Sequence, residues 1–377
     1  MGAVEVRPVT SWGDRRAFIN LPWTLYRDDP NWVPPLRLLV KELVGYSRHP
    51  FGEIADVQTF LARKDGVACG RIAAIVNHEH NKMFNEKRGF FGFFESIDDS
   101  QVAHALFDEA RRWLAARDIH LIRGPANPSM NYECGLLVDG FDSPPTFLMT
   151  YNPPYYPRLV ESYGFRKAQD LYAFTGSREQ LPKVEDQLGG LADQAQARCE
   201  ANIRPMHGTK KDIEVFLELY NRSFEGMWGS VPLTRHEMTE FVTTLKWLVD
   251  PQLAMIAEVD GRGVGAVIGL PDYNPRIKKI NGRLLPFGFY HLLTKKKDIR
   301  RIRVISINVL PEFQRWGLGL VLLRALVPKA LEMGIQEAEF SWIAESNTLP
   351  RIGMEKAQVK LTKTYRMFDL DGAAKSN

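Results

Sequence analysis

The chain repeats itself, and that repetition limits the folds open to it more than any other feature. Val4-Glu5-Val6-Arg7-Pro8-Val9, with the amphipathic stretch that ends in Leu25-Tyr26-Arg27, is echoed by Ala201-Asn202-Ile203-Arg204-Pro205-Met206, whose following helix ends in Leu219-Tyr220-Asn221-Arg222. The closing segments match too: Tyr155 to Phe174 and Leu349 to Phe368 each read as a short helix followed by a strand. A unit repeated once, at far more than the roughly 20–50 residues of a solenoid repeat, is a duplicated domain. The length of 377 residues suits two domains. We expect lobes at 1–178 and 200–377, with 179–199, rich in Gln, Ala, Asp and Glu around Gly189-Gly190, as a helical linker.

A hydrophobic fraction of 45% and a charged fraction of 25% describe an ordinary soluble protein and argue against disorder, collagen-like repeats and a membrane bundle. The longest apolar stretches, such as Leu284 to Leu293, carry Pro, Gly and His and fall short of the roughly 20 residues that span a bilayer. No charged segment leads into an apolar one at the start, so no secretory signal is expected. Cys69, Cys134 and Cys199 contain no Cys-x-x-Cys pair, which argues against a disulfide framework or a thiolate zinc site. No metal site and no Ser, His, Asp nucleophile order stands out, and a cytoplasmic location is expected.

The net charge of +4 hides an asymmetry, because residues 276–303 hold ten Lys or Arg against the single acid Asp298. Inside that stretch Pro286-Phe287-Gly288-Phe289-Tyr290-His291-Leu292-Leu293 forms an aromatic and aliphatic tip flanked by Lys278, Lys279, Lys295, Lys296 and Lys297. Such a tip suits peripheral contact with an anionic membrane; a solvated hairpin with an apolar plug is the other reading. Nucleic-acid binding is not expected, because no recognised module accompanies the charge.

Each half runs strand, helix, alternating strands, helix, strand, short helix and strand, an α/β pattern. Val57–Ala62 and Ala68–Val76 flank the turn signal Lys64-Asp65-Gly66, and Ala254–Val259 and Val264–Leu270 flank Asp260-Gly261-Arg262-Gly263. Periodic helices follow at Asp99–Arg117 and Gly317–Met333. In the second half the strand Val304 to Val309 enters Leu310-Pro311-Glu312-Phe313-Gln314-Arg315-Trp316-Gly317-Leu318-Gly319, which opens that helix. A glycine turn at a helix head converges backbone N–H groups and the positive helix end on one point, suited to a diphosphate. The spacing is neither that of a P-loop nor that of a dinucleotide fold.

Val309-x-Pro311 followed by Gln314-x-x-Gly317-x-Gly319 resembles the acyl-CoA binding motif of the GNAT (Gcn5-related N-acetyltransferase) superfamily. The resemblance implies two tandem GNAT-like lobes, each a mixed, mostly antiparallel sheet flanked by helices. It further implies acetyl-CoA or a longer acyl-CoA as co-substrate, with Ile307, Val309, Gln314, Arg315, Trp316, Gly317, Leu318 and Gly319 holding pantetheine and pyrophosphate and Asn347 on the arm. Family members often place a Tyr seven residues after that Asn as the acid for the leaving thiolate; here Met354 stands there. Tyr365 and Glu345 are the substitutes we consider.

The first half lacks the motif, with Phe90 to Asp99 in its place, so it is expected to have lost CoA binding, while Asp98 or Asp99 caps a helix. It carries instead Gly124-Pro125-Ala126-Asn127-Pro128-Ser129-Met130-Asn131-Tyr132-Glu133-Cys134-Gly135 and the Pro-rich Tyr151-Asn152-Pro153-Pro154-Tyr155-Tyr156. Polar groups among apolar strands need partners. Either Asn127, Asn131, Tyr151 and Asn152 line an acceptor pocket, or the loop's Asn and Glu side chains close the loop on its own backbone. Amine acylation needs a proton acceptor and a polarised carbonyl; Glu345, Glu133 and Glu95 are the ranked bases, and a backbone N–H near Val309 would polarise the thioester.

With these loops the whole chain also resembles a bacterial GNAT-like group that includes acyl-CoA-dependent ceramide synthases, which implies a sphingoid-type amine. The expected function is N-acylation of a small or lipid primary amine by direct attack on the thioester. Two others stay open: a tandem aminoacyl transferase using aminoacyl-tRNA, and a non-catalytic CoA-binding module. The acceptor, the acyl length and the oligomeric state are not read from the sequence.

Overall fold

The Asp-Gly pairs form the hairpin turns they signal. Asp65 and Gly66 take φ of 51° and 79°, Asp260 and Gly261 take 50° and 76°, the pair of left-handed residues that a tight turn between twisted strands requires. The computed structural model describes residues 3–294 and 298–371. In chain order the first half forms β1 (Val4–Pro8), α1 (Trp12–Leu25), α2 (Arg37–Leu43), β2 (Ala55–Lys64), β3 (Val67–Asn77), α3 (His78–Phe84), β4 (Arg88–Ser96) and α4 (Ser100–Ala115). There follow β5 (Leu121–Gly124), β6 (Ala126–Asn127), β7 (Glu133–Cys134), β8 (Leu136–Asp139), α5 (Tyr156–Tyr163), β9 (Arg166–Ser177) and α6 (Leu181–Cys199). The second half forms β10 (Asn202–Pro205), α7 (Lys210–Ser223), α8 (Arg235–Leu245), β11 (Ala254–Val259), β12 (Arg262–Pro271), α9 (Asn274–Lys279) and α10 (Gly288–Leu293). It closes with β13 (Arg301–Val309), α11 (Pro311–Gln314), α12 (Leu318–Glu332), β14 (Glu337–Ala344), α13 (Thr348–Lys356) and β15 (Lys360–Leu370).

The chain folds into two units, and neither is one unbroken stretch. Among the described residues the first takes those up to Leu171, then Pro275–Gly288, then Lys363 to Asp371; the second takes Tyr172–Asn274 and those from Phe289 to Thr362. In the first unit β1 to β4 form antiparallel ladders, β5 runs parallel to β4, and the last strand β15 lies antiparallel beside both β5 and β8. In the second, β10 to β13 are antiparallel, β14 is parallel to β13, and Tyr172–Ser177 of β9 lies beside β14. The sequence pairs each closing strand with the half that encodes it. The fold instead gives β15 to the first unit's sheet and most of the apolar end of β9 to the second.

Helix α4 starts at Asp99, whose carboxylate accepts the Gln101 N–H. Val102, Ala103, Leu106, Phe107, Ala110 and Leu114 recur at three and four residues, so one face is buried on the sheet. Helix α12 repeats the device with Leu318, Val321, Leu322, Leu326 and Ala330. Burying each such Leu contributes about 2 kcal/mol, enough to fix both helices on their sheets. Helix α6 is the 19-residue stretch after β9, and it buries only Gly189, Ala192, Ala195 and Cys199. Among the described residues no helix is long and apolar enough to cross a membrane.

Candidate functional site

In the second unit two parallel strands part company. β13 pairs with β14 only from Arg301–Val304 to Glu337–Phe340, although the strands continue to Val309 and Ala344. On its other edge β13 slips register against β12: Ile268 faces Ser306 and Gly269 faces Val304, so Ile305 is an extra residue. A bulge of this kind bends its strand. From Ser306 to Val309 the strand keeps β12 on one side and has no strand on the other among the described residues. An open edge of this sort presents backbone N–H and C=O groups to an extended ligand.

Charge ties the base of the fork. The buried Arg303 donates from Nε to the Ser341 Oγ at 2.9 Å and from its terminal nitrogen to the Ser341 carbonyl at 3.2 Å, and its guanidinium lies 4.7 Å from the Trp342 ring. Ser341 in turn donates to Glu339 at 2.7 Å. Farther along β13, Asn308 Nδ2 donates to the Ser223 hydroxyl at 2.7 Å, and Ser306 donates to Asn308, which anchors the open edge to the end of α7. The Arg303, Ser341, Ser306, Asn308 and Ser223 side chains thus hydrogen-bond with one another or with neighbouring groups, as burial demands.

The open edge leads to the glycine turn. The Leu310 N–H bonds the Val264 carbonyl at 3.0 Å, Pro311 opens α11, and Gln314 Nε2 donates to the carbonyls of Val309 at 3.1 Å and Ser223 at 3.4 Å. Gln314 therefore shapes the loop. Arg315 is exposed, and Trp316 packs edge-on against Phe313 with centroids 5.1 Å apart. Gly317 sits at φ 83° and ψ 14°, a conformation that costs a residue with a Cβ about 1 kcal/mol or more. Its carbonyl accepts the N–H groups of Leu320 at 2.9 Å and Val321 at 3.4 Å. The N–H groups of Leu318 and Gly319, first in the helix, have no intrahelical acceptor and lie at its positive end. A Cβ on Gly319 would stand 3.5 Å from Ile307 Cγ2, so the helix head abuts the open edge. Glu345, half-buried, and Asn347, at the head of α13, follow β14 in the same unit; the Glu345 carbonyl accepts from Arg351 at 2.9 Å. Met354 is buried with Phe174 and Ile343.

The first unit has the same fork with something in it. β4 and β5 pair only from Arg88–Phe90 to Leu121–Arg123, and β4 slips against β3 between Arg71 and Ala73 with Phe93 at φ 49°. Here the chain stays beside β4 after β5 ends. A Cβ on Gly124 would meet the Phe91 carbonyl at 2.4 Å, one on Gly92 would meet the Ala126 carbonyl at 1.8 Å, and Asn127 Oδ1 accepts the Phe93 N–H at 2.6 Å. Residues 124–127 thus occupy the strand edge that is open in the other unit.

The other residues singled out in the first half take up bonds within their unit. Asn152, buried, accepts the Leu137 N–H at 2.7 Å and donates to the carbonyls of Leu137 and Pro153. The Asn131 N–H donates to Ser129 Oγ at 3.2 Å, and Glu133 on β7 is paired in register with Asn127. Tyr151 donates to Asp29 at 2.9 Å, and burial followed by that carboxylate pushes its phenol up. Tyr365 is fully buried, with its Cβ 3.1 Å from where a Cβ on Gly135 would stand. Glu95 accepts from Tyr156 at 2.7 Å and Tyr26 at 2.8 Å and faces Arg71 at 3.4 Å. Burial raises its carboxyl above the ordinary range, against the pull of Arg71 and the two phenols. Glu95 stands opposite Arg71 in its ladder, as Asn308 stands opposite Ala266 in the other. The second unit therefore holds Glu345, Asn347 and the whole glycine turn, and the first unit holds Glu133, Tyr365 and the four Asn and Tyr side chains.

Sequence reasoning passed over the Ser223–Ser306–Asn308 network and the place of α6. The first has no signal, because its members are scattered. The second has one: Gly189, Ala192, Ala195 and Cys199 put small residues on one helical face.

The model of the acetyltransferase (GNAT) family matches residues 213–353, which bracket the open fork and the turn. The Escherichia coli (strain K12) protein YghO is 34% identical over 370 residues, covering 97% of this chain and 94% of its own. A bacterial ceramide synthase of Caulobacter vibrioides is 34% identical over 382 residues, covering 97% of each. Among solved structures, a tandem GNAT protein from the clavulanic acid biosynthesis pathway matches 99% of this chain and 100% of its own with a TM-score of 0.58 at 11% identity, a likeness of fold.

Proposed function

Because the chain belongs to the GNAT acetyltransferase family, we propose that it moves a long acyl group from acyl-CoA to the primary amine of a sphingoid-type lipid. The observation that carries the reading is the continuous path in the second unit: an unpaired strand edge over Ser306–Val309 that ends at the unbonded N–H groups of Leu318 and Gly319. Pantetheine would pair with the edge and the diphosphate would sit at the helix head. In the first unit the equivalent edge is filled by residues 124–127, so one acyl-CoA is used per chain. The amine lone pair attacks the thioester carbonyl, the developing oxyanion takes a backbone N–H near Val309, and the collapsing intermediate releases CoA thiolate. The ammonium proton leaves through Glu345, our first candidate base and the one that lies in the same unit as the fork.

Full-length similarity to a protein named bacterial ceramide synthase supports the lipid amine. So does the basic insertion. Leu285 and Phe287 are 79% and 76% exposed, with Arg276, Lys278, Lys279 and Arg283 beside them in sequence, an arrangement suited to an anionic bilayer from which a lipid substrate is taken. The segment is held in its unit by Trp23 Nε1 donating to Asn281 at 2.5 Å and by Arg37 donating to the Asn281 carbonyl at 2.7 Å. Lys295, Lys296 and Lys297 lie outside the described residues.

Calorimetric titration with CoA, acetyl-CoA and palmitoyl-CoA tests the reading, against Gly317→Glu as the control that blocks the turn with bulk and charge. Binding by the parent and none by the variant, tightest for palmitoyl-CoA, is the expected result. Absence of binding to all three would overturn it, and binding of aminoacyl-tRNA in their place would mark an aminoacyl transferase.

A further inference from the structure

Helix α6 lies against the head of α12. Arg324 on α12 bonds Glu185 at 2.6 Å and also Asp193, and a Cβ on Gly317 would come within 3.0 Å of Ala195 Cβ. Residue 185 thus sits well along α12 and residue 195 at its start, so the two helices run antiparallel. The buried Gly189, Ala192, Ala195 and Cys199 give α6 a face of small side chains, which suits this closeness. Arg198 follows Ala195 by three residues, a rise of about 4.5 Å, which carries this end of α6 past the start of α12. Arg198 is exposed and makes no hydrogen bond or ion pair among the described residues, whereas Arg324 on the facing helix makes two.

We propose that α6 is the second wall of the CoA cradle and that Arg198 pairs with the phosphate arm of the bound cofactor; this rests on the acyl-CoA reading above. A guanidinium next to a helix head adds a full positive charge there and offers a forked donor to phosphate oxygens, which the backbone amides alone do not. The simpler role for a basic residue in the last turn, offsetting the carbonyl end of its own helix, is worth only about 0.3–1 kcal/mol and has nothing to do with CoA. Stability and affinity therefore separate the two roles.

Isothermal titration of CoA into the full chain would compare the parent with Arg198→Ala, Arg198→Lys and Arg198→Glu, at two salt concentrations. Affinity should fall about 10-fold in Arg198→Ala, the loss of one charge-assisted bond, and further in Arg198→Glu. Arg198→Lys should recover part of it, and the salt dependence of binding should be shallower in Arg198→Ala than in the parent. Thermal unfolding of the unliganded variants should match the parent. If the parent binds CoA and Arg198→Ala binds equally well, this proposal falls and the acyl-CoA reading stands. If the parent does not bind CoA, both fall.

Discussion

Replacing Asn127 by Ala distinguishes a residue that holds a strand from one that holds a substrate. Its Oδ1 accepts the N–H of Phe93 at 2.6 Å, and Phe93 is a bulky residue held at φ 49° in the middle of β4. Removing the acceptor leaves a largely buried N–H unbonded, at about 1–3 kcal/mol. It also removes what holds the strained backbone, itself of order 1–3 kcal/mol. Part of the strain relaxes once the bond is gone, so about 2–3 kcal/mol is expected for Asn127→Ala. Asn127→Asp keeps an acceptor oxygen and should lose less. For a unit of this size about 2–4 °C of melting temperature goes with each kcal/mol, so Asn127→Ala should unfold about 5–10 °C early by scanning calorimetry. The KM for the amine, measured below that transition, should be unchanged. A variant that melts with the parent yet shows a raised amine KM would refute the reasoning and return Asn127 to the acceptor pocket.

Gly92→Ala makes a harsher test of the filled fork: its Cβ would lie 1.8 Å from the Ala126 carbonyl, backbone against backbone, so a loss of about 3 kcal/mol or more in urea unfolding is expected. A wild-type midpoint would mean that residues 124–127 do not lie along β4. Glu95 predicts a pH dependence. Burial raises its carboxyl in the folded chain, so the folded state holds the proton more tightly than the unfolded state. The stability this contributes is complete below the unfolded value of about 4.3 and is lost as pH rises through the raised folded value. Glu95→Gln, still able to accept from Tyr26 and Tyr156, should flatten that decline, and an unchanged pH profile of unfolding would show that Glu95 is not its source.

What was readable from the chain, and what was not, follows from how local each determinant is. The hairpins rest on Asp65-Gly66 and Asp260-Gly261, adjacent residues with a left-handed preference. The cap at Asp99 and the faces of α4 and α12 lie within a few turns of sequence. The glycine turn at 317 and 319 is local too. The exchange of β9 and β15 was not readable, because the two closing strands resemble each other and either sheet offers a similar neighbour. Nor was the bond from Asn127 to Phe93: a Phe at positive φ has no sequence signature, so nothing announced an N–H there in need of an acceptor. The base of the fork, where Arg303 meets Ser341 and Trp342, joins residues 38 apart and appears only once the strands are laid side by side.

The placement of the last strand bears on how the protein is made. The first unit's sheet needs β15, whose residues leave the ribosome about 200 positions after Leu171, an interval of roughly 10–40 s at ordinary elongation rates. Until then β5 and β8 offer an unpaired edge beside a core that still lacks Phe368. Slower elongation between the two halves should therefore prolong the time the first unit waits for β15 and raise aggregation of the unfinished chain.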